Sequence, residues 1–522
     1  MKTKYILIAF LTAVVAFSSC NKLLDIPRKA VIDNTTYYKT DEEVESAVVA
    51  MYLDVRGWYY NVMLVKHCLT DDYFSGGAAH GDNVDMDALG EFAFNSETGQ
   101  IEGSFSGYYG LIYHANVIIG HINPEQSAAA ARAVAEAHLF RGWAYFELTT
   151  LWGNPPIVDH ELVPSEYAQP NASTEDLWKL IEDDLTYAIS SGMLAEKKNK
   201  DDATCWRVTK QFGQALLGKA YLWMAWALND KSYYAKSAEQ FKAVVNSNLY
   251  DLFTAGPYGD QRHLIYKMNC EDIFESIRVN DLDNQMDNFD FYGAMVSWRS
   301  SGSEMTIPGD VCGTGGWGFM VPTVDLLNTF EKYEGKNSYR RTETLKTYEE
   351  LRAMGVVWNM TTLSTGIFNW KGRFMADELA FYGMVNTKNP LWMRLAEVLL
   401  CGAEAALQSG DQGTALTYVN RVRARAQLPA LTSVDLETIK TEKRLELCGE
   451  GQRFQDLLRW GEAASRLQEM GKDYPKMEPN GTVTYVSAGR SVYGFKTGKH
   501  EHLPYPYTEV MLNPNIQQNP GY

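Results

Sequence analysis

Apolar residues recur three and four apart over long stretches of the chain, and most stretches open on a capping residue or close on a breaker. Val44, Ala47, Val48, Met51 and Tyr52 form one such stripe behind Thr40-Asp41-Glu42-Glu43, which supplies a cap and an acidic first turn. The same spacing predicts helices over residues 108–122, 128–151, 174–190, 210–228 and 233–246, with Thr174-Glu175-Asp176 capping the third. Trp152-Gly153-Asn154-Pro155-Pro156 is a firm stop to the second. Residues 392–407 form another helix, with small residues at Ala396, Gly402, Ala403 and Ala406, and Gly410-Asp411 breaks it. Leu416, Val419, Val422 and Ala426 mark the next, and Pro429 ends that one. A further helix starts near Asp435 and enters a turn holding Gly449 and Gly451, closed by Trp460-Gly461. Small residues such as Ala215, Gly218 and Ala220 sit where two helices would face each other. The pattern gives about eight helices in antiparallel pairs. The fold class is therefore mainly α, a superhelix of tetratricopeptide-like pairs with loop-rich insertions and a few short strands.

Two regions break the pattern. Residues 56–110 are aromatic, Gly-rich and acidic, with Trp58-Tyr59-Tyr60, Asp71-Asp72-Tyr73-Phe74-Ser75-Gly76-Gly77 and His80-Gly81-Asp82-Asn83. Helical periodicity is poor there, so the whole region reads as a loop-rich insertion, and long irregular segments carry function more often than stability. Residues 271–389 form the second excursion. It opens with a strand-like alternation over residues 272–279 and continues through Tyr292, Trp298, Gly313-Thr314-Gly315-Gly316-Trp317-Gly318-Phe319 and a short helix over residues 324–331. In the tail, Pro479-Asn480-Gly481 predicts a type I′ hairpin turn between short strands.

Composition narrows the function. With 522 residues, 45% of them hydrophobic, the chain can bury a large core. A formal net charge of −17 repels polyanions, which sets nucleic acid aside. The 13 Trp and 31 Tyr are a surplus of flat rings. At the amino terminus, Lys2 and Lys4 precede an apolar run over residues 5–17 that ends at Ser18-Ser19-Cys20. That run is short for a membrane span and has the form of a secretory signal, residues 1–19. Cys20, directly after small residues, is the expected lipidation site, and acyl chains there would hold a soluble body at a membrane. Removing the signal removes two lysines and no acid, leaving a still more acidic chain.

The other cysteines, Cys68, Cys205, Cys270, Cys312, Cys401 and Cys448, form no Cys-x-x-Cys pair, so a zinc site is not expected and their disulfide state is left open. Catalytic motifs are missing as well. There is no His-Glu-x-x-His, Gly103-Ser104-Phe105-Ser106-Gly107 has Phe where a nucleophile elbow needs Ser, and Gly494 is followed by Phe495 where a phosphate loop needs Lys. The dense run Arg444, Glu446, Glu450, Arg453, Asp456 and Arg459 resembles an active site, but opposite charges three or four apart pair on helices without chemistry. Glu397 and Glu404 share a face and could pair with Arg421, Arg423 or Arg444. No cofactor is expected. Asp281, Asp283 and Asp287 offer hard oxygens to a structural calcium, at a spacing that departs from an EF-hand; a solvated acidic loop is the plainer reading.

Taken together, the motifs resemble the SusD/RagB family of outer-membrane lipoproteins, over essentially the whole chain. The resemblance rests on Cys20 with Leu23-Leu24-Asp25, on Arg141 with Trp152-Gly153-Asn154-Pro155, and on Arg394-Leu395-Ala396-Glu397 with Ala403-Glu404-Ala405. It is most specific in Arg444-Leu445-Glu446, Gly449-Glu450-Gly451, Arg453-Phe454, Asp456-Leu457, Arg459-Trp460-Gly461 and the ending Gln518-Asn519-Pro520-Gly521-Tyr522. It implies a right-handed scaffold of four tetratricopeptide-type helix pairs and this division: signal peptide 1–19, lipidated Cys20 and tether 20–39, an N-terminal helical region 40–270 with its insertion 56–110, a ligand-facing insertion 271–389, and a C-terminal helical region with tail 390–522.

The resemblance also implies a non-catalytic, lipid-anchored protein of the outer membrane. It would face the cell exterior, capture oligo- or polysaccharide and deliver it to a SusC-like TonB-dependent transporter. The alternatives are a transporter lid, or a peptide-binding RagB-like protein with little glycan affinity. Glycan capture needs aromatic rings for the C–H faces of sugars and polar side chains in register with their hydroxyls. The two excursions hold both, so the candidate ligand residues are Trp298, Trp317, Tyr292 and Phe319 from the later one, and Asp82, Asn83, Tyr73, Phe74 and His80 from the earlier. Burial as core rings is the competing reading for each aromatic, and the favoured one for Trp358 and Trp370.

Overall fold

The computed structural model describes residues 37–278, 291–300, 303–380, 385–386 and 388–522. The expected signal peptide, Cys20, most of the expected tether and the three candidate calcium ligands Asp281, Asp283 and Asp287 lie outside the described residues. Nine helices carry the scaffold: α1 (Asp41–Cys68), α2 (Gly99–His121), α3 (Ala128–Trp152), α4 (Thr174–Ser190), α5 (Lys210–Ala227), α6 (Ser232–Asn246), α7 (Leu395–Gln408), α8 (Gln412–Arg425) and α9 (Leu436–Leu447). The first eight pair in order, α1 with α2 through α7 with α8, and each pair packs on the next, with α9 against α7. This is the expected superhelix of four pairs. Shorter helices and six two-stranded antiparallel sheets, counted among the described residues, occupy the excursions and the tail. No helix of the described residues is long and apolar enough to cross a membrane.

Side-chain size sets the stacking. A Cβ added to Gly218 on α5 would lie 2.9 Å from the Phe241 ring of α6, and one added to Gly402 on α7 would lie 3.0 Å from the same residue and 3.1 Å from Tyr418 of α8. Phe241 thus fills two notches at once, its ring at Gly218 and its Cβ at Gly402, and fixes three helices around one side chain. Helix starts follow the capping rules: Thr40 and Glu43 form a capping box, and Ser127, Thr209, Asp411 and Asp435 each accept a backbone N–H of the first turn. Ser173, one residue before the expected Thr174, caps α4.

The expected 56–110 insertion is much shorter than its sequence suggested. Helix α1 runs on through Cys68 and α2 begins at Gly99, which leaves residues 69–98 as the irregular part. Trp58 and every residue from Val62 to Cys68 are buried. A helix covered on all faces has no polar side, and the 3.6-residue period that would identify it vanishes. The strand expected over residues 272–279 is confined to β2 (Asp272–Glu275), buried at all four positions, and pairs antiparallel with β4 (Leu391–Arg394). In the tail, β5 (Asp473–Met477) and β6 (Val483–Ser487) form the expected hairpin. Its turn is not type I′, because Gly481 has positive φ and Asn480 does not. Instead the Gly481 N–H donates to the Glu478 carbonyl at 2.9 Å, with Pro479 at the second turn position where its fixed φ fits.

The Arg/Glu motif is scaffold. Arg394 at the end of β4 contacts Glu271 at 2.6 Å, Glu446 at 2.7 Å and Glu450 at 2.7 Å, while Arg340 from the later excursion contacts Glu334 at 2.6 Å, Glu442 at 2.8 Å and Glu446 at 3.0 Å. Arg444 bonds Asp72 at 2.8 Å and Asp325 at 2.7 Å, and Arg453 bonds Asp71 at 2.8 Å, so one face of α9 and the turn after it hold both excursions. Glu404 takes Arg459, and Glu397 takes Lys219 at 2.7 Å, rather than the partners expected from spacing. Burial pushes the Glu446 carboxyl up, but Arg425, Arg394 and Arg340 outweigh it and hold it at about 2.

Candidate functional site

The two excursions, about two hundred and forty residues apart in sequence, meet in one small sheet. Strand β1 (Tyr73–Gly76) pairs antiparallel with β3 (Phe319–Pro322), with Tyr73 opposite Pro322, Phe74 opposite Val321 and Gly76 opposite Phe319. The glycines after Ser75 permit this approach. A Cβ on Gly76 would fall 2.5 Å from the Gly318 carbonyl oxygen, and the Gly77 N–H donates to that same oxygen at 2.9 Å. Alternation along β1 turns consecutive rings to opposite sides, Tyr73 inward and buried, Phe74 outward and half-buried.

Outward from this sheet lies an aromatic and polar face. The Phe74 ring is 6.4 Å from Tyr485 of β6, whose side chain is 50% exposed. The His80 ring stacks on Tyr474 of β5 at 4.7 Å with 8° between planes, and its Nε2 meets the Glu91 carboxylate. Asp82 is exposed; its carboxylate accepts the Ala78 N–H at 2.8 Å and lies 3.8 Å from the Arg299 guanidinium. Arg299 also meets Glu304 at 3.1 Å and donates to the Trp317 carbonyl at 3.0 Å, which ties the half-buried Trp317 into the same cluster. Of the nine candidate ligand residues, Phe74, His80, Asp82 and Trp317 therefore reach the surface around the β1–β3 sheet, Phe74 against Tyr485 on one side of the hairpin and His80 against Tyr474 on the other. Asn83 stands beside them, but its side chain accepts the Met86 N–H at 3.1 Å and caps the helix Val84–Gly90.

The other four turn inward. Trp298 is 5% exposed and donates its indole N–H to the Asn369 carbonyl at 2.8 Å within a second core that includes Trp358, Phe368 and Trp370. Phe319 is equally buried, its ring over Gly77. Phe319 lies on β3, which is buried at all four of its positions, and Trp298 lies just past the helix Phe291–Val296, covered by the second core. Tyr73, Tyr292 and Trp298 line a cavity of about 150 Å³ between the later excursion and helix α1. The Tyr292 hydroxyl is 2.7 Å from His67 Nδ1 in its wall. Burial, the largest influence, drives the His67 imidazole down to about 3, so the ring is neutral.

Sequence reasoning missed Tyr474, Tyr485 and Arg299. A signal for the hairpin residues was present: β6 reads Val483-Thr484-Tyr485-Val486-Ser487, a strand-forming run that is exposed at four of its five positions. Apolar and aromatic groups on an uncovered strand mark a contact surface. Among the described residues no group of three His, Cys, Asp or Glu side chains could hold a metal ion.

Comparison with known proteins bears on the scaffold. Residues 347–522 match the model of the SusD family, and residues 32–222 match a model described as starch-binding associating with outer membrane; together they cover well over half of the chain. A SusD-like protein of Bacteroides ovatus is 24% identical, over 100% of this chain and 98% of its own. Among solved structures, a laminarin binding SusD-like protein superposes with a TM-score of 0.76 at 26% identity, covering 93% of this chain and 100% of its own. Surface glycan-binding protein A from Bacteroides thetaiotaomicron, in complex with laminarihexaose, superposes with a TM-score of 0.72 at 22% identity, over 92% and 99% of the two chains.

Proposed function

The chain belongs to the SusD family, and from that premise we propose that it is a non-catalytic capture protein for oligo- or polysaccharide. The glycan lies on the outer face formed where β1, β3 and the β5–β6 hairpin meet. Phe74, Tyr485 and Trp317 offer rings to the C–H faces of sugars, while Asp82, His80 and Arg299 offer hydrogen bonds to hydroxyls. One observation carries this reading: the β1–β3 pairing joins the two excursions, and the half-exposed Tyr485 of the tail hairpin lies against Phe74 at their junction. The names of the laminarin- and glycan-binding proteins that the fold resembles support the ligand class. A lipid on Cys20 anchors the protein in the outer membrane facing outward, and a SusC-like TonB-dependent transporter receives the bound glycan.

Isothermal titration against a panel of soluble polysaccharides tests the proposal. At least one glycan should release heat and leave no new reducing ends. Tyr485→Ala, Phe74→Ala and Trp317→Ala should each weaken that binding by about fivefold or more. Absence of heat with every glycan, or wild-type affinity in all three variants, refutes capture at this face.

A further inference from the structure

Behind the outer face lies the cavity of about 150 Å³, walled by Tyr59, His67, Tyr73, Tyr292, Trp298 and Trp392. It sits beneath the short helix Phe291–Val296, and Trp317 holds the same helix by donating its N–H to the Ala294 carbonyl at 2.9 Å. We propose that this cavity is a separate binding site for one uncharged sugar ring. The proposal goes beyond the outer face and does not require that face to bind glycan.

Three features of the wall select that ligand. First, the volume equals that of an apolar protein cavity known to hold benzene, so a single six-membered ring is the right scale. Second, His67 is 4% exposed and its Nε2 has no hydrogen-bond partner among the described residues. A buried polar nitrogen left without a partner is costly, and a purely apolar guest would not relieve it. The neutral ring presents Nε2 as donor in one tautomer and acceptor in the other; a hydroxyl serves both, whereas an anion serves only one.

Third, the cations around the cavity are already neutralised. Lys371 meets Glu450 at 2.7 Å, Arg373 meets Asp260 at 2.9 Å, Lys388 meets Glu378 at 3.1 Å and Arg262 lies 3.5 Å from both Asp272 and Glu450. Each of these four cations already has a carboxylate partner among the described residues, so a carboxylate or phosphate entering the cavity would gain little to repay its desolvation. Rings for C–H faces, buried nitrogens without hydrogen-bond partners on His67 and Arg262, and paired charge together describe a site for a neutral polyol ring.

The test uses the full chain labelled with 5-fluorotryptophan, with the Trp298 and Trp392 resonances assigned from Trp298→Phe and Trp392→Phe. Glucose, galactose, mannose and xylose are titrated separately. At least one should move both resonances saturably with Kd of about 1 mM, the scale expected for a ligand of about a dozen heavy atoms. His67→Phe keeps the ring shape, removes the nitrogen and should weaken that binding about tenfold, while Tyr485→Ala should leave it unchanged. No saturable shift with any of the four sugars would mean a cavity holding water only and would overturn the proposal, whatever the variants do. Tighter binding of inorganic phosphate than of the sugars, or undiminished binding in His67→Phe, would overturn it as well.

Discussion

Glu446 offers a sharp test of how the scaffold holds its excursions. Its carboxylate is fully buried and meets Arg394, Arg425 and Arg340. Burial alone would raise its pKa, yet the arginines depress it from 4.5 to about 2. A depressed carboxylate stabilises the folded state above the unfolded-state pKa and loses that contribution as pH falls through the folded value, here between about 4.5 and about 2. The shift corresponds to about 3 kcal/mol at neutral pH, of which about 2 kcal/mol is gone at about pH 3. Glu446→Gln preserves the shape, removes the charge and leaves three buried guanidinium groups short of a counter-ion, at a cost of about 3–5 kcal/mol. Urea unfolding of wild type and E446Q at about pH 7 and about pH 3 reads this directly. The gap between the two proteins should be large at the higher pH and narrower by about 2 kcal/mol at the lower. An unchanged gap, or a variant as stable as wild type at neutral pH, would refute the assignment of Glu446 as the charged hub.

Other sites give simpler tests. Trp298→Ala should lower stability by about 3–5 kcal/mol in urea unfolding, whereas Trp317→Ala should cost under about 1 kcal/mol; matching midpoints would contradict the buried placement of Trp298. Gly402→Leu forces a side chain against Phe241 and Tyr418 and should cost about 1–3 kcal/mol, while Gly110→Ala, with nothing within 4 Å of the added Cβ, should stabilise α2 by about 0.5–1 kcal/mol. Opposite signs in thermal melts are the expected result, and destabilisation by both would show that the contacts drawn around Phe241 do not set the difference. Cys20→Ala should abolish incorporation of labelled palmitate and release the protein from the membrane fraction; labelling that persists would move the anchor elsewhere.

The helix pairs were legible because most scaffold helices keep one wet face. Leu177, Ile181, Leu185 and Ala188 of α4 are buried, with exposed residues between them, and the period shows. It is lost where a helix is enclosed on every side, as over residues 62–68 of α1; around Trp58 the buried positions Val55, Trp58 and Val62 keep the spacing, and the run Trp58-Tyr59-Tyr60 obscures it. The site was half legible. Residue chemistry picked the two excursions, and the structure joins them, but the periodicity-poor sequence held no information about which ring of Tyr73-Phe74 or of Trp317-Phe319 would face out. That choice is made by strand pairing over a long sequence distance, through contacts such as Gly77 to Gly318 that no local pattern encodes. Tyr485 escaped notice because its hairpin lies in the tail, far in sequence from both excursions.

The clasp between β2 and β4 bears on how this architecture can diversify. Leu391 lies opposite Glu275 and Arg394 opposite Asp272, so the later excursion leaves the superhelix and rejoins it at one doorway, and α7 stacks on α6 as if nothing lay between them. A closed detour of this kind costs little more entropy when lengthened, since closure entropy grows only with the logarithm of length. Its interior can therefore be rewritten by insertion, deletion or exchange while the doorway and the stacked helices persist. The transplant carries one condition, set by the buried acids of α9: a replacement cassette must deliver a guanidinium where Arg340 now sits, or Glu442 and Glu446 lose a counter-charge that they share.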